Sequence, residues 1–161
     1  MNFKTSSIAG AFLFSAFAVP TALAADAQMT ISESGSREFI RAPEANFTGR
    51  AWIDPLFIKA QSPQRTTGAY VSFEPGARAA WHTHPLGQTL VVTSGTGWVQ
   101  QWGGEKKVIN AGDVVSCPPG VKHWHGATAT TGMVHLAIQE SDAEEKNVQW
   151  MEKVSDEQYG H

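Results

Sequence analysis

After Phe47 the chain breaks into eight short β-prone runs, at 50–59, 68–74, 89–94, 97–102, 106–109, 114–116, 123–126 and 133–139, each closed off by Gly, Pro, Asn or Ser. That punctuation is the pattern of all-β sandwiches and barrels. The tetrapeptide Ser94-Gly95-Thr96-Gly97 reads as a tight hairpin and Asn110-Ala111-Gly112-Asp113 as a turn. Eight strands in two hairpin-bearing halves predict an all-β jelly roll. No solenoid repeat and no linker interrupts the runs, so residues 50–161 form a single domain behind an N-terminal arm at 25–49 that shows no sustained periodicity. Near the end, Ser155 caps a short helical turn through Tyr159.

Within this frame the histidines are spaced for metal chemistry. In an extended Trp81-His82-Thr83-His84 the two-residue period of a strand turns His82 and His84 to one face. Pro85 and Gly87 then turn the chain, so that Gln88 folds back and offers its amide oxygen to the same point. Downstream, the segment from Gly112 through Pro118, Pro119 and Gly120 delivers His123 at the end of a strand-turn-strand unit. Three imidazoles and one amide therefore surround a candidate metal. The set is neutral, so a divalent ion would keep its full charge and polarise an oxygen ligand strongly, while no ligand carboxylate is left to act as a base. Proton transfer falls to His135 or His125. Met133, His135, Ala137 and Gln139 share one strand face, and the same rule groups Ala69, Val71 and Phe73; if both line the interior, they enclose a small, mostly apolar pocket. Val134, Leu136 and Ile138 make an apolar second face that is expected to pack on another layer.

These two segments resemble the paired signature of the cupin superfamily. The first half is matched by Gly76, His82, His84, Gln88 and Gly95, with Gln where Glu is usual. The second is matched by Gly112, Pro118, Gly120 and His123, with Ala127 where Asn is usual. The resemblance implies the double-stranded β-helix form of the jelly roll. A closer likeness, over about residues 50–159, is to the small bacterial cupins of the hydroxynitrile lyase type. It is carried by the run from Trp81 to Thr89 with its unusual Gln ligand, by Lys122-His123-Trp124-His125-Gly126, by the run from His135 to Glu140 and by the tail Asp156-Glu157-Gln158-Tyr159.

The family implies a divalent metal, manganese foremost, with iron, zinc, cobalt and nickel as alternatives, held by His82, His84, Gln88 and His123. It also implies a pocket including Ala69, Val71 and His135, a compact homotetramer, and reversible cleavage of aromatic cyanohydrins such as mandelonitrile to aldehyde and hydrogen cyanide. His125 and Gln139 join the expected substrate pocket, and a dimer stands beside the tetramer as the expected homo-oligomer. His135 is expected to be the catalytic acid–base, its pKa near the working pH. A cupin dioxygenase, an isomerase and a non-catalytic extracytoplasmic binding cupin are the alternatives, since fold alone does not settle function.

The remaining features bound location and partners. Lys4, the apolar run from Ile8 to Val19 and the small-residue site Ala22-Leu23-Ala24 read as a secretory signal peptide at 1–24, too short to favour a permanent membrane span. The mature chain is then expected to be periplasmic or secreted, with no membrane partner. The chain carries 12 basic and 15 acidic side chains, scattered rather than clustered, which speaks against nucleic acid and for a small-molecule substrate. The single cysteine, Cys117, excludes an intrachain disulfide and reads as a small buried thiol rather than a nucleophile. Six tryptophans require a core or an interface that houses large rings.

Overall fold

The computed structural model describes residues 28–59 and 62–160. The chain divides into Met1–Ile31 and Ser32–His161. Of the first unit only residues 28–31 are described; they are exposed and belong to no strand, and the signal peptide read at 1–24 lies outside the described residues. The second unit contains β1 (Ile40–Arg41), β2 (Phe47–Thr48), β3 (Ala51–Phe57), β4 (Thr66–Phe73), β5 (Arg78–Ala79), β6 (His82–Thr83), β7 (Gln88–Gln101), β8 (Lys107–Asn110), β9 (Val114–Cys117), β10 (His123–Ala127), β11 (Met133–Glu140), β12 (Gln149–Trp150) and one five-residue helix, α1 (Asp156–Gly160). All pairings are antiparallel, and the strands curl into one sheet in the order β1-β3-β4-β11-β7-β10-β5-β2. The arm at 25–49 therefore supplies two strands, and its Ala42 and Phe47 are core residues.

One strand organises the rest. β7 runs unbroken for 14 residues, and the hairpin expected at residues 94–97 does not form. Its first half pairs with β11 and β9, its second half with β10 and β8. Ser-Gly-Thr-Gly is a hairpin signal only if its flanks pair with each other; here each flank finds a different partner. The glycines serve the crossing instead. Gly95 has φ +75°, and a Cβ there would lie 2.0 Å from the Gly132 carbonyl oxygen; one on Gly97 would lie 2.4 Å from that of Gly126. The backbone kinks between sheet halves where other chains approach it closely.

The core is in two parts. Phe47, Val71, Phe73, Val92, Ile109, Met133 and several alanines fill the interior, while Trp81, Trp124, Val154 and Tyr159 pack outside β10. Every residue of β10 is buried, because its inward face meets the interior and its outward Trp124 is covered by the C-terminal segment. That segment is clasped by Arg78, which donates to the Val154 carbonyl at 3.1 Å and to Asp156 at 2.5 Å. The predicted cap is in place: the Gln158 amide donates to Ser155 Oγ at 3.1 Å, and the Ser155 amide donates to Gln158 Oε1 at 2.9 Å, a reciprocal capping box. Along β11 the two faces separate as the two-residue period requires. Met133, His135 and Ala137 are the buried, inward set, and Val134, Leu136 and Ile138 are the half-buried outer set. The polar histidine is accepted inside because it has another imidazole to bond.

Candidate metal centre

Register builds the site rung by rung. On the inner face Gln88 sits opposite Gln139 and Cys117, Leu90 opposite Ala137 and Val115, and Val92 opposite His135. On the other edge of β11, Ala137 meets Ala69 and His135 meets Val71. Across the interior, β10 and β6 set His123 opposite His82. His84 follows β6 at a turn whose two halves are tied together: its carbonyl accepts from the amides of Gly87 (3.3 Å) and Gly120 (2.9 Å). Gly87 has φ +83°, and a Cβ there would stand 2.8 Å from the Cys117 carbonyl oxygen, so the turn requires glycine.

His82, His84, His123, His125 and His135 are all buried, in one cluster. Ring centroids of His82 lie 4.4 Å from His123 and 5.1 Å from both His84 and His125. The tautomers of three follow from their partners, because a carbonyl can only accept. His82 Nδ1–H donates to Ala80 O at 2.8 Å, His84 Nδ1–H to Asn147 O at 2.5 Å, and His123 Nδ1–H to Val121 O at 2.9 Å. Each neutral ring thereby keeps a lone pair on Nε2, the form a metal ion needs.

Gln88 gives the sharpest indication. Its Nε2 donates to Gln139 Oε1 at 3.3 Å, which turns its Oε1 to His123 Nε2, also at 3.3 Å. With that amide orientation and that tautomer, two acceptors face each other in a buried site. A cation between them would relieve such a contact, and burial drives the pKa of His123 down, against relief by a proton. His84 Nε2, buried and without a partner among the described residues, adds a second orphaned lone pair. The donor set fits a divalent transition metal.

The ligand atoms of His82, His123 and His125 all lie within 4.8 Å of one another; this trio includes His125 where the sequence spacing puts His84. Centroid distances do not separate the two, since His84 is 5.7 Å and His125 5.9 Å from His123. What separates them is the other ring nitrogen. The His125 Nδ1 is taken not by a carbonyl but by His135 Nε2, at 3.1 Å, while His125 Nε2 and His135 Nδ1 have no partner among the described residues. Desolvation lowers the pKa of His84 to about 4 and of His135 to about 3, and pushes His82 and His125 well below the ordinary value, with the neighbouring imidazoles adding repulsion in the last two. Burial thus favours a neutral His135 ring at neutral pH. Cys117, inward on β9, is pushed up to about 11 by burial, so it is a thiol and not a nucleophile at neutral pH.

Two clefts reach the cluster. One of about 460 Å³ is lined by Val99, Trp102, Val115, Cys117 and His123, the other of about 390 Å³ by Leu86, Gln88, Cys117, Ile138 and Gln139. Ala69 is half-buried although inward-facing. Sequence reasoning passed over Asn147, whose carbonyl orients His84 from 63 residues away. No side-chain pattern could have signalled it.

A curled antiparallel sheet with a buried histidine cluster at its centre defines the chain as a cupin, and comparison bears this out. The chain belongs to the cupin family, whose cupin domain model matches residues 69–139. More narrowly, it is 57% identical over 131 residues to the (R)-mandelonitrile lyase of Granulicella tundricola, a match spanning 81% of this chain and 98% of that protein. Among solved structures, a cupin-like protein from Thermotoga maritima shares 37% identity with a TM-score of 0.69, covering 81% of this chain and 95% of that one. The polyketide cyclase RemF from Streptomyces resistomycificus, at 14% identity and a TM-score of 0.63 over 82% of this chain and 91% of its own, shares the fold alone.

Proposed function

We propose that this protein is a metal-dependent lyase of the hydroxynitrile lyase kind, reversibly cleaving aromatic cyanohydrins such as mandelonitrile to aldehyde and hydrogen cyanide. The observation that carries the metal part is the pair of facing acceptors, His123 Nε2 and Gln88 Oε1; the likeness to (R)-mandelonitrile lyase supports the reaction class. His82, His84, Gln88 and His123 would hold the ion, and manganese, iron, cobalt, nickel or zinc all suit imidazole and amide donors. When bound, the ion supplies Lewis acidity, undiminished by a ligand carboxylate.

The chain's own residues carry the proton. Cleavage removes the hydroxyl proton, breaks the C–C bond with its electron pair leaving on the cyanide carbon, and returns a proton to that carbon. His125 and His135 are hydrogen-bonded at 3.1 Å and each has a second ring nitrogen without a partner among the described residues, so the pair can accept a proton at one end and orient it at the other. Burial keeps both neutral at neutral pH; the pair therefore accepts the proton only beside the cyanide that takes it back. Ala69 and Ala137, paired across β4 and β11, leave room for the aldehyde's ring, walled by Val71 and Gln139. The test is release of benzaldehyde and cyanide from mandelonitrile. Protein loaded with manganese should release both in equal amounts and chelated protein neither; no cyanide above the uncatalysed background from loaded protein refutes the reading, and oxygen uptake instead would favour a dioxygenase.

The same reading includes a homo-oligomer, dimer or tetramer, which would cover the outer face on which Trp52 and Phe57 are 38% and 44% exposed, and export through the leader at 1–24. Light scattering and fractionation of cells test these two parts.

A further inference from the structure

Two of the three carbonyl-bonded imidazoles are held locally, His82 by Ala80 and His123 by Val121, each two residues upstream. His84 is held by Asn147, in the connection between β11 and β12. That connection is a built unit. Its Ser141 amide donates to Arg65 O at 2.9 Å and its Asp142 amide to Lys146 O at 2.8 Å. Asp142 Oδ1 accepts from the amides of Glu144 (3.0 Å) and Lys146 (2.8 Å), and Glu145 takes a φ of 62°, a left-handed conformation that surrounding bonds must enforce. At its end, Asn147 Nδ2 donates to Thr67 Oγ1 at 3.2 Å, and Thr67 Oγ1 donates onward to the Gln139 carbonyl at 3.2 Å. The side chain of the same Gln139 accepts from Gln88. Thr67 is buried and Asn147 half-buried, so the relay is partly shielded from water.

We propose that Asn147 and Thr67 are positioning residues: their hydrogen bond fixes the carbonyl that orients His84, so that the 141–147 strap, and not the histidine spacing alone, sets how well the cluster takes a divalent ion. The inference rests on the reading of the cluster as a metal centre. Its energetic logic is that the ring's close hydrogen bond is the one from Nδ1 to the Asn147 carbonyl, while Nε2 has no hydrogen-bond partner among the described residues, so the ring is oriented from its Nδ1 side.

The test uses the full protein and the variants Asn147→Ala, Thr67→Val and Thr67→Ser. Asn147→Ala keeps the backbone carbonyl and loses only its anchor; Thr67→Val keeps shape and loses the hydroxyl; Thr67→Ser restores it. Cobalt(II) affinity is measured by chelator competition together with the d–d absorption spectrum. Asn147→Ala and Thr67→Val should each bind cobalt roughly 10- to 100-fold more weakly, the range for loss of a group that orients a ligand, with an altered spectrum. Thr67→Ser should match the parent, and the double variant Asn147→Ala/Thr67→Val should be no weaker than either single one, because both cut one link. Nitrogen-15 spectra of the metal-free proteins provide a readout that needs no metal. The His84 ring should be a pure Nδ1–H tautomer in the parent and a mixture in the two cutting variants. Parent-like affinity, spectrum and tautomer in both would overturn the proposal. A parent protein that takes up no cobalt yet shows the expected tautomer change would overturn the metal reading and leave the positioning role standing.

Discussion

Five imidazoles buried without a carboxylate among the groups that shift them make the metal-free protein acid-labile in a predictable way. In the unfolded chain a histidine takes up its proton near pH 6.5; in the folded chain His84 does so only near 4 and His135 near 3. Between those limits the unfolded state binds more protons than the folded one, so stability is full above about pH 7 and is lost as pH falls through about 6.5. At about pH 5.5 each such group costs RT ln(1 + 10), about 1.4 kcal/mol. His84 and His135 together cost about 3 kcal/mol, and His82, His123 and His125, lowered in the same direction, add to the same effect. Against a total stability of roughly 5–15 kcal/mol, the chelated protein should lose a large fraction of its margin before ordinary carboxylates begin to titrate. Urea unfolding followed by circular dichroism at about pH 7.5, 6.5 and 5.5 reads this directly. Stability should drop by at least about 3 kcal/mol between the first and last, and saturating manganese should move the drop to lower pH, since the ion binds the deprotonated rings. A flat profile in the chelated protein would mean that the histidines are not desolvated as described.

Replacing a ligand should separate metal capture from chemistry. His84→Ala or His123→Ala should remove most bound divalent ion and lower the melting temperature in its presence, read by elemental analysis and calorimetry. Gln88→Glu should keep the ion but lower cyanide release at matched occupancy, because a carboxylate partly neutralises the Lewis acid. His135→Ala should keep the ion and lower kcat by roughly 10²- to 10⁴-fold, read by single-turnover kinetics; near-parent turnover would leave His125 to act alone. Gly126→Ala, whose Cβ would lie 2.5 Å from the Ala77 carbonyl oxygen, should destabilise the fold by about 3 kcal/mol or more, through overpacking against backbone.

What the sequence made legible was local. A two-residue period, a Pro–Gly turn and a second Gly-framed segment are enough to bring His82, His84, Gln88 and His123 toward one point, because each depends on a few neighbouring dihedrals. The contact between His125 and His135 is a different kind of fact. β10 and β11 do not pair; both lie along β7, at its two halves, and only the curl of the sheet brings their inward rings to 3.1 Å. No hairpin forms at residues 94–97, and the related reason is that the glycines there carry the same local signal whether the chain reverses or crosses. Asn147 acts through a backbone carbonyl, which every residue possesses and no pattern distinguishes. The long-range pairing that decides all three is a property of the assembled sheet.

That β7 is shared by both halves has a consequence for motion. Gln88 begins the strand, and Gln100 and Gln101 at its far end pair with Trp124 and His123, so the candidate metal-binding side chains of both halves hang on a single backbone. Neither half can open while the other stays closed without breaking the ladder of β7 itself. Its central amides, from Leu90 to Val99, should exchange with deuterated solvent only through global unfolding, and the binding groups should come apart in one cooperative event. Ion release without unfolding would then proceed through side-chain rotation and the clefts, with the barrel still shut.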